Sequence, residues 1–294
     1  LFFRVRNVNI AVKNLVILPK AIYLSKILKK KAIYHIHAHW ASTPSTMAYI
    51  ISKISGIPWS FTAHRWDISE NNMLKEKCIT ASFVRAIDEK GRDEIVEIIG
   101  DMSLAWKVLL IHMGVVIPEV VKVSMQRQCL FTILCPANLV HKKGHRYLIE
   151  ACEILSRKKK EFRCLIAGDG PLRNELQRIV KDLNINKYIE FLGFLPHTEL
   201  LRFYEKDIID VVVLPSIIAD NGEKEGIPVS LMEAMACGIP VISTDTGGIP
   251  ELIGDGSGIM VKEKNAVAIA DTVERLIDDP VYYREISVKG RGKI

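Results

Sequence analysis

From about residue 33 onward the chain alternates short apolar runs with segments of helical spacing, and this alternation restricts its fold more than any other feature. "AIYHIHAHW", "IPWSFTAH", "CITASFVRAI" and "KVLLIHMGV" read as strands. "STPSTMAYIISKISG" and "DEKGRDEIVEIIG" read as helices, the first with a Ser/Thr start and a glycine stop. A polar loop covers "RWDISENN", and "IPEVVKVSMQRQ", which has no clear period, reads as a linker. A second series follows: "LFTILCPANLV", "GHRYLIEACEILSRK", "EFRCLIAGDGP", "RNELQRIVKDLNI", "YIEFLGFL", "TELLRFYEKD", "DVVVLP", "SLMEAMACG" and "IPVISTDTGG". Short apolar strands separated by helices predict parallel sheets covered on both faces. The expected architecture is α/β, with two Rossmann-like lobes over residues 1–122 and 123–294. Ligands of such sheets bind beyond the carboxyl ends of the strands, so chemistry is sought there.

Composition agrees with a soluble globular chain: 294 residues, 49% hydrophobic and 25% charged, leave material for two cores. No run approaches the ~18 uninterrupted apolar residues of a membrane span. No secretory signal is visible, and the first residue is not methionine, as expected of a fragment or processed chain. The cysteines (Cys78, Cys129, Cys135, Cys152, Cys164, Cys237) form no CxxC pair and sit in apolar surroundings, the pattern of buried free thiols in a reducing cytosol. Net charge is +6, with much of the excess early, as in "LSKILKKKAIY". That excess reads as a solvated basic face or as attraction to an anionic membrane surface. Without interleaved aromatics it does not read as a nucleic-acid platform.

The most informative stretch is Leu214 to Glu251, "LPSIIADNGEKEGIPVSLMEAMACGIPVISTDTGGIPE". A helix beginning near Pro228 and stopping at Gly238 presents its N-terminus just after a strand, where free N–H groups and the helix dipole favour an anion. Glu225 precedes this helix and Glu233 lies within it; carboxylates accept hydrogen bonds from hydroxyls, so a ribose or sugar ring suits them. A helix-solvating Glu233 is the plainer alternative. "AGDGP" sets Gly168, Asp169 and Gly170 between a strand and a helix, but without the GxGxxG dinucleotide fingerprint. "ANLVHKKG" places Lys142 and Lys143 at another strand end, and "TDTGG" adds Gly247 and Gly248. A nucleotide diphosphate carrying a sugar would use all of these turns together.

These motifs ("EGIPVSLMEAMACGIPVISTDTGGIPEL", "AGDGP" and "LVHKKG") resemble glycosyltransferase family 4, retaining sugar transferases of the GT-B fold. "HIHAHWASTPSTMAYIISKISGIPWSFTAHRWDI" and "DNGEKEGIP" look more narrowly like its exopolysaccharide, colanic-acid-type and lipopolysaccharide members. The resemblance implies that Glu225 contacts donor-sugar hydroxyls and that the loop of Gly226, Ile227 and Pro228 offers backbone N–H groups to sugar and pyrophosphate. It further implies that Glu233 holds the ribose and Lys143 neutralises the pyrophosphate. Gly168, Gly170, Phe194 and Leu195 would border the nucleoside, and His64 would lie near the transferred sugar. The family transfers a hexose from a nucleotide diphosphate sugar, UDP by frequency, to a glycan or lipid-linked acceptor. It does so without a bound metal or other cofactor, and the leaving phosphate helps deprotonate the acceptor hydroxyl. Such an enzyme is expected in the cytoplasm, against the inner-membrane surface.

Three departures stand out. Asn138 occupies a position where the family has an arginine. The usual first strand with its Gly-rich loop is missing, and "REISVKGRGKI" stops before the usual last helix, so the chain reads as clipped at both ends. A nucleotide-sugar-binding fragment without activity therefore stays open, as does a sugar-nucleotide epimerase on the same fold. The alternating His35, His37 and His39 could suit a metal, but His112, His141, His145 and His197 are scattered across both lobes, and a structural strand with a functional tip is expected instead. Trp40, Trp59 and Trp66 could stack on sugar or fill a core, and Arg65 with Asp67 could touch ligand or form a loop ion pair.

Overall fold

The computed structural model describes residues 7–119, 130–206, 208–220 and 222–294. The chain divides into two compact units between Met113 and Gly114. The boundary expected at 122/123, most of the linker reading and Cys129 lie outside the described residues.

Unit 1 carries a parallel four-stranded sheet, β1 (Ile36–His39), β2 (Trp59–Ala63), β3 (Val84–Ala86) and β4 (Val108–Leu110), in sequential order. Two helices precede it, α1 (Val8–Val16) and α2 (Leu18–Lys30); then follow α3 (Thr43–Ser55), α4 (Arg65–Glu70), α5 (Leu74–Thr80) and α6 (Glu89–Ile99). Trp59, Phe61, Leu74, Cys78, Ile95 and Ile99 make one core, so Trp59 belongs to packing. The inner face of α2, with Ala21 at its centre, packs on Ile50 and Ile51 of α3. Below α1, the Asn14 and Asn72 side-chain amides exchange two hydrogen bonds of 2.8 and 3.1 Å in a buried setting. The stretch Val8–Lys30 is long and apolar enough to cross a membrane by length and composition, contrary to the sequence expectation, although it is bent into two helices at Ile17. Lysines spaced through it interrupt every apolar run, which hid it from a search for continuous hydrophobicity.

Two local readings of unit 1 need correction. "RWDISENN" is not all loop, because residues 65–70 form α4, too short for a 3.6-residue period to register. "CITASFVRAI" is not one strand: its first residues complete α5, and only Val84–Ala86 join the sheet. Leu74 and Cys78, one turn apart, both face the core.

Unit 2 carries a parallel six-stranded sheet: β5 (Phe131–Pro136), β6 (Phe162–Ala167), β7 (Ile189–Gly193), β8 (Val211–Leu214), β9 (Val241–Thr244) and β10 (Ile259–Val261). The spatial order β7-β6-β5-β8-β9-β10 starts at the middle, winds outward one way, then returns and winds the other. This is the doubly wound arrangement, and its direction reverses between β5 and β8. All four residues of β8 are buried, as a central strand with both faces covered requires. Helices α7 (His145–Arg157), α8 (Arg173–Asp182), α9 (His197–Glu205), α10 (Val229–Ala236), α11 (Ile249–Ile253), α12 (Ala266–Asp278) and α13 (Pro280–Lys293) flank the sheet. Leu148, Ile149, Cys152 and Leu155 give α7 one wholly apolar face. Cys78, Cys135, Cys152, Cys164 and Cys237 are free, buried thiols, and burial pushes Cys78 up to about 12.

Candidate donor and acceptor sites

The reversal between β5 and β8 opens a crevice at their carboxyl ends, and the loops after these strands meet there. Ile217 N–H donates to Lys142 O at 2.9 Å. Gly144 has a φ of +66°, and a Cβ there would fall 1.9 Å from Pro215 O, so only glycine lets the loops approach this closely. The turn that Gly144 ends carries Lys143, whose ammonium lies 2.6 Å from Glu225 Oε2. Beside it Lys142 is 3.6 Å from Glu223. Behind this turn His145, at the start of α7, is buried, and burial pushes the imidazole down to about 4.

Glu225 is fixed from the other side by the turn after β9. Gly248 N–H donates to Glu225 O at 3.2 Å, and a Cβ at Gly247 would lie 1.8 Å from the same oxygen. Gly226, Ile227 and Pro228 then lead directly into α10, with Pro228 at its N-cap and Ile227 and Pro228 buried. Glu233, one turn further in, is nearly buried, and its Oε1 lies 2.6 Å from His197 Nε2. His197 opens α9 at the carboxyl end of β7. The sequence reading passed it over as one more scattered histidine. The strand-end rule that singled out its neighbours would have found it, since "FLPH" leaves β7 as "NLVHKK" leaves β5.

Gly168 and Gly170 have a packing reason to be small. A Cβ at Gly168 would meet Ala137 O at 2.0 Å, and one at Gly170 would meet Leu139 O at 2.6 Å. These glycines let the loop after β6 pack on the loop after β5, tied by Leu139 N–H to Asp169 O at 3.0 Å. Asp169 is a turn former, accepting from Gly170 N–H at 2.8 Å. Between them Asn138 is exposed. Phe194, after β7, is 75% exposed, an unusual placement for a phenylalanine, and Leu195 beside it is half-buried. Unit 2 thus gathers Asn138, Lys143, Phe194, Leu195, Glu225 and Glu233 at the carboxyl ends of β5, β7 and β8.

In unit 1, His64 follows β2 and Trp40 follows β1, at adjacent strand ends. The two rings stack, centroids 4.1 Å apart. Burial, then the neighbouring His39 and Arg85, hold the His64 imidazole below its ordinary value, which favours the neutral form at pH 7. Asp67 is fully buried and accepts from His64 N–H at 2.7 Å and Ala41 N–H at 2.6 Å. Arg65 pairs instead with Glu94 at 2.8 Å, so the supposed Arg65–Asp67 ion pair does not form. His35, His37 and His39 do share one face, but His35 and His37 are engaged by Ser60, and His37 also by Thr62, at 2.7–2.9 Å. Among the described residues no three His, Cys, Asp or Glu side chains are grouped to hold a metal ion.

Two parallel, helix-flanked sheets, the second doubly wound, make an α/β fold, and its structural neighbours are GT-B glycosyltransferases. A crystal structure of Anabaena Alr3699/HepE in complex with UDP superposes with a TM-score of 0.74 at 19% identity, covering 93% of this chain and 76% of that one. The family described as "Glycosyl transferases group 1" matches residues 122–293, and the chain belongs to that family. It is 38% identical over 163 residues to the amylovoran biosynthesis glycosyltransferase AmsK of Erwinia amylovora, covering 55% of this chain and 40% of the relative. It is 43% identical over 139 residues to the putative colanic acid biosynthesis glycosyltransferase WcaL of Escherichia coli K12, covering 47% and 34%. The matched stretch therefore spans two fifths or less of those relatives' length.

Proposed function

We propose that the chain is the donor-binding and part of the acceptor-binding portion of a retaining hexosyltransferase of surface-polysaccharide or lipopolysaccharide assembly. The observation that carries this reading is the Lys143–Glu225 pair across the β5/β8 switch point, with Glu233 one helical turn behind it. A nucleotide diphosphate sugar offers each group a better partner: the diphosphate for Lys143, sugar hydroxyls for Glu225 and ribose hydroxyls for Glu233. The backbone at Gly226 and Ile227 and the start of α10 add N–H donors toward the departing diphosphate. Exposed Phe194 supplies a face for the base, for which UDP is the proposed carrier. In the reaction the bond from the sugar anomeric carbon to the diphosphate breaks, a bond from the acceptor oxygen forms, and the acceptor proton passes to the departing diphosphate. Lys143 supplies the cation this leaving group needs, so a chelator is expected to leave the rate unchanged. His64 is the proposed residue beside the transferred sugar.

The acceptor is proposed to be a growing, lipid-linked glycan, with the enzyme peripheral on the cytoplasmic face of the inner membrane. Val8, Val12 and Val16 lie exposed along α1, and Lys29 to Lys31 close α2, which supports that placement. Sedimentation with anionic but not neutral vesicles tests it.

The deciding test is the melting temperature with UDP, GDP and ADP in turn, in the wild type and in Glu233→Ala. A ligand bound only by the folded state at a hundredfold excess over Kd adds about 2.7 kcal/mol. A shift with one nucleotide, lost in the variant, is expected; no shift in a folded protein rejects the donor site. Shift without transfer to any acceptor favours the inactive binding fragment.

A further inference from the structure

Trp40 and Trp66 are half exposed, at 39% and 45%, at the ligand-facing ends of the unit 1 strands. Their ring centroids are 5.4 Å apart, and Trp40 also stacks on His64. Three aromatic rings from two chain segments thus form one open surface. By contrast Trp106, the other exposed tryptophan of this unit, has no aromatic neighbour among the described residues and only Lys107 near its ring.

The backbone beneath this surface is unusual. Trp40 has a φ of +80°, a conformation that a bulky side chain adopts only when its surroundings impose it. The next two residues are held from below by two fully buried charged groups. Asp67 accepts from Ala41 N–H, while Lys77 Nζ donates to Ala41 O at 2.6 Å and to Ser42 O at 2.9 Å. Asp67 also accepts from His64 N–H, so one carboxylate sets the turns that carry Trp40 and His64. These bonds satisfy the buried backbone of Ala41 and Ser42 and, by fixing that backbone, also fix the orientation of the half-exposed indole before it.

We propose that Trp40 and Trp66 form a stacking platform for a pyranose ring of the acceptor glycan, with Asp67 and Lys77 as its positioning residues. The ring's C–H face lies on the indoles, and its hydroxyls meet His64, which as a neutral imidazole can both donate and accept. A glycan fits better than single-stranded nucleic acid because no run of basic side chains accompanies the two rings. The proposal rests on the functional reading above for calling this glycan the acceptor, but not for the platform itself.

The test is saturation-transfer NMR on the whole chain with the methyl glycosides of glucose, galactose, mannose and fucose, and a dT8 oligonucleotide as the competing class. At least one glycoside is expected to show transfer to the protons of one ring face. Trp66→Ala should reduce it at least fivefold, Trp66→Phe should keep part of it, and Trp106→Ala should leave it intact. Trp40→Ala can disturb its strained turn, so Trp66, on the surface of α4, is the decisive position. Lys77→Met should weaken saccharide binding, while the UDP-induced melting shift stays at the wild-type size in all these variants. Absence of transfer from every glycoside, equal transfer in Trp66→Ala, or binding of the oligonucleotide alone overturns the platform. Saccharide binding that survives while no nucleotide shifts the melting point leaves the platform standing and overturns the donor reading instead.

Discussion

The two units build their strand-end surfaces from different materials. In unit 2 the loops after β5, β6, β8 and β9 lean on one another backbone to backbone, at distances that only glycine allows. Its polar side chains there are paired, Lys143 with Glu225 and His197 with Glu233. In unit 1 the loops after β1 and β2 are joined by side chains, Asp67 and Lys77, buried beneath a surface of rings. A surface of main-chain groups recognises what is common to many ligands, such as a diphosphate. One built from large side chains can change its preference by substitution without losing its frame.

The sharpest way to break the unit 2 arrangement is Gly144→Ala, which puts a methyl group against Pro215 O and forces a positive φ on alanine. The expected loss is about 3 kcal/mol or more, read by urea denaturation, together with loss of the UDP shift. In unit 1 the corresponding change is Lys77→Met, which leaves two buried carbonyls without their donor and removes the cation near Asp67. About 2–3 kcal/mol is expected, again by urea denaturation, with nucleotide binding retained. Acid should then separate His145 of unit 2 from Asp67 of unit 1 by sign. His145 has a folded value of about 4 against 6.5, so its stabilising contribution is complete above pH 6.5 and is lost as pH falls through 4. Asp67 is raised by burial to about 6 from 3.8, so its contribution is complete below 3.8 and is lost as pH rises through 6. Between pH 6.5 and 4, wild type should therefore weaken relative to His145→Leu and strengthen relative to Asp67→Asn, measured by melting at each pH. The smallest effect is expected from Phe194→Ala, about 1 kcal/mol or roughly fivefold in Kd for the nucleotide by calorimetry, with saccharide binding unchanged.

Strands β5 to β9 were legible because each is a short apolar run closed by glycine or a polar turn, whereas β10, a strand of only 3 residues, and the helices after β9 went unread. Glu225, Glu233 and Lys143 stood at the strand ends where the topology places ligands. What escaped was the purpose of Gly168 and Gly170, since a glycine that admits a ligand and one that admits a neighbouring loop read alike. Pairings over long separations, His197 with Glu233 or Arg65 with Glu94, leave no local signal at all. In unit 1 the short α4 hid among polar residues, and the apolar run "CITASFVRAI" merged a helix end with a strand start because both were buried. The Val8–Lys30 helices were missed because their lysines interrupt the apolar residues, several of which are exposed.

The Asn14–Asn72 pair has a consequence for that same segment. Two amides facing each other in an apolar surround tolerate one alignment only. If α1 slid by a turn along the body of the unit, both would lose their partners away from water. The pair therefore acts as a latch with a single notch. It ties α1 at one defined depth to the loop holding Asn72, which leads directly into α5 and its Lys77.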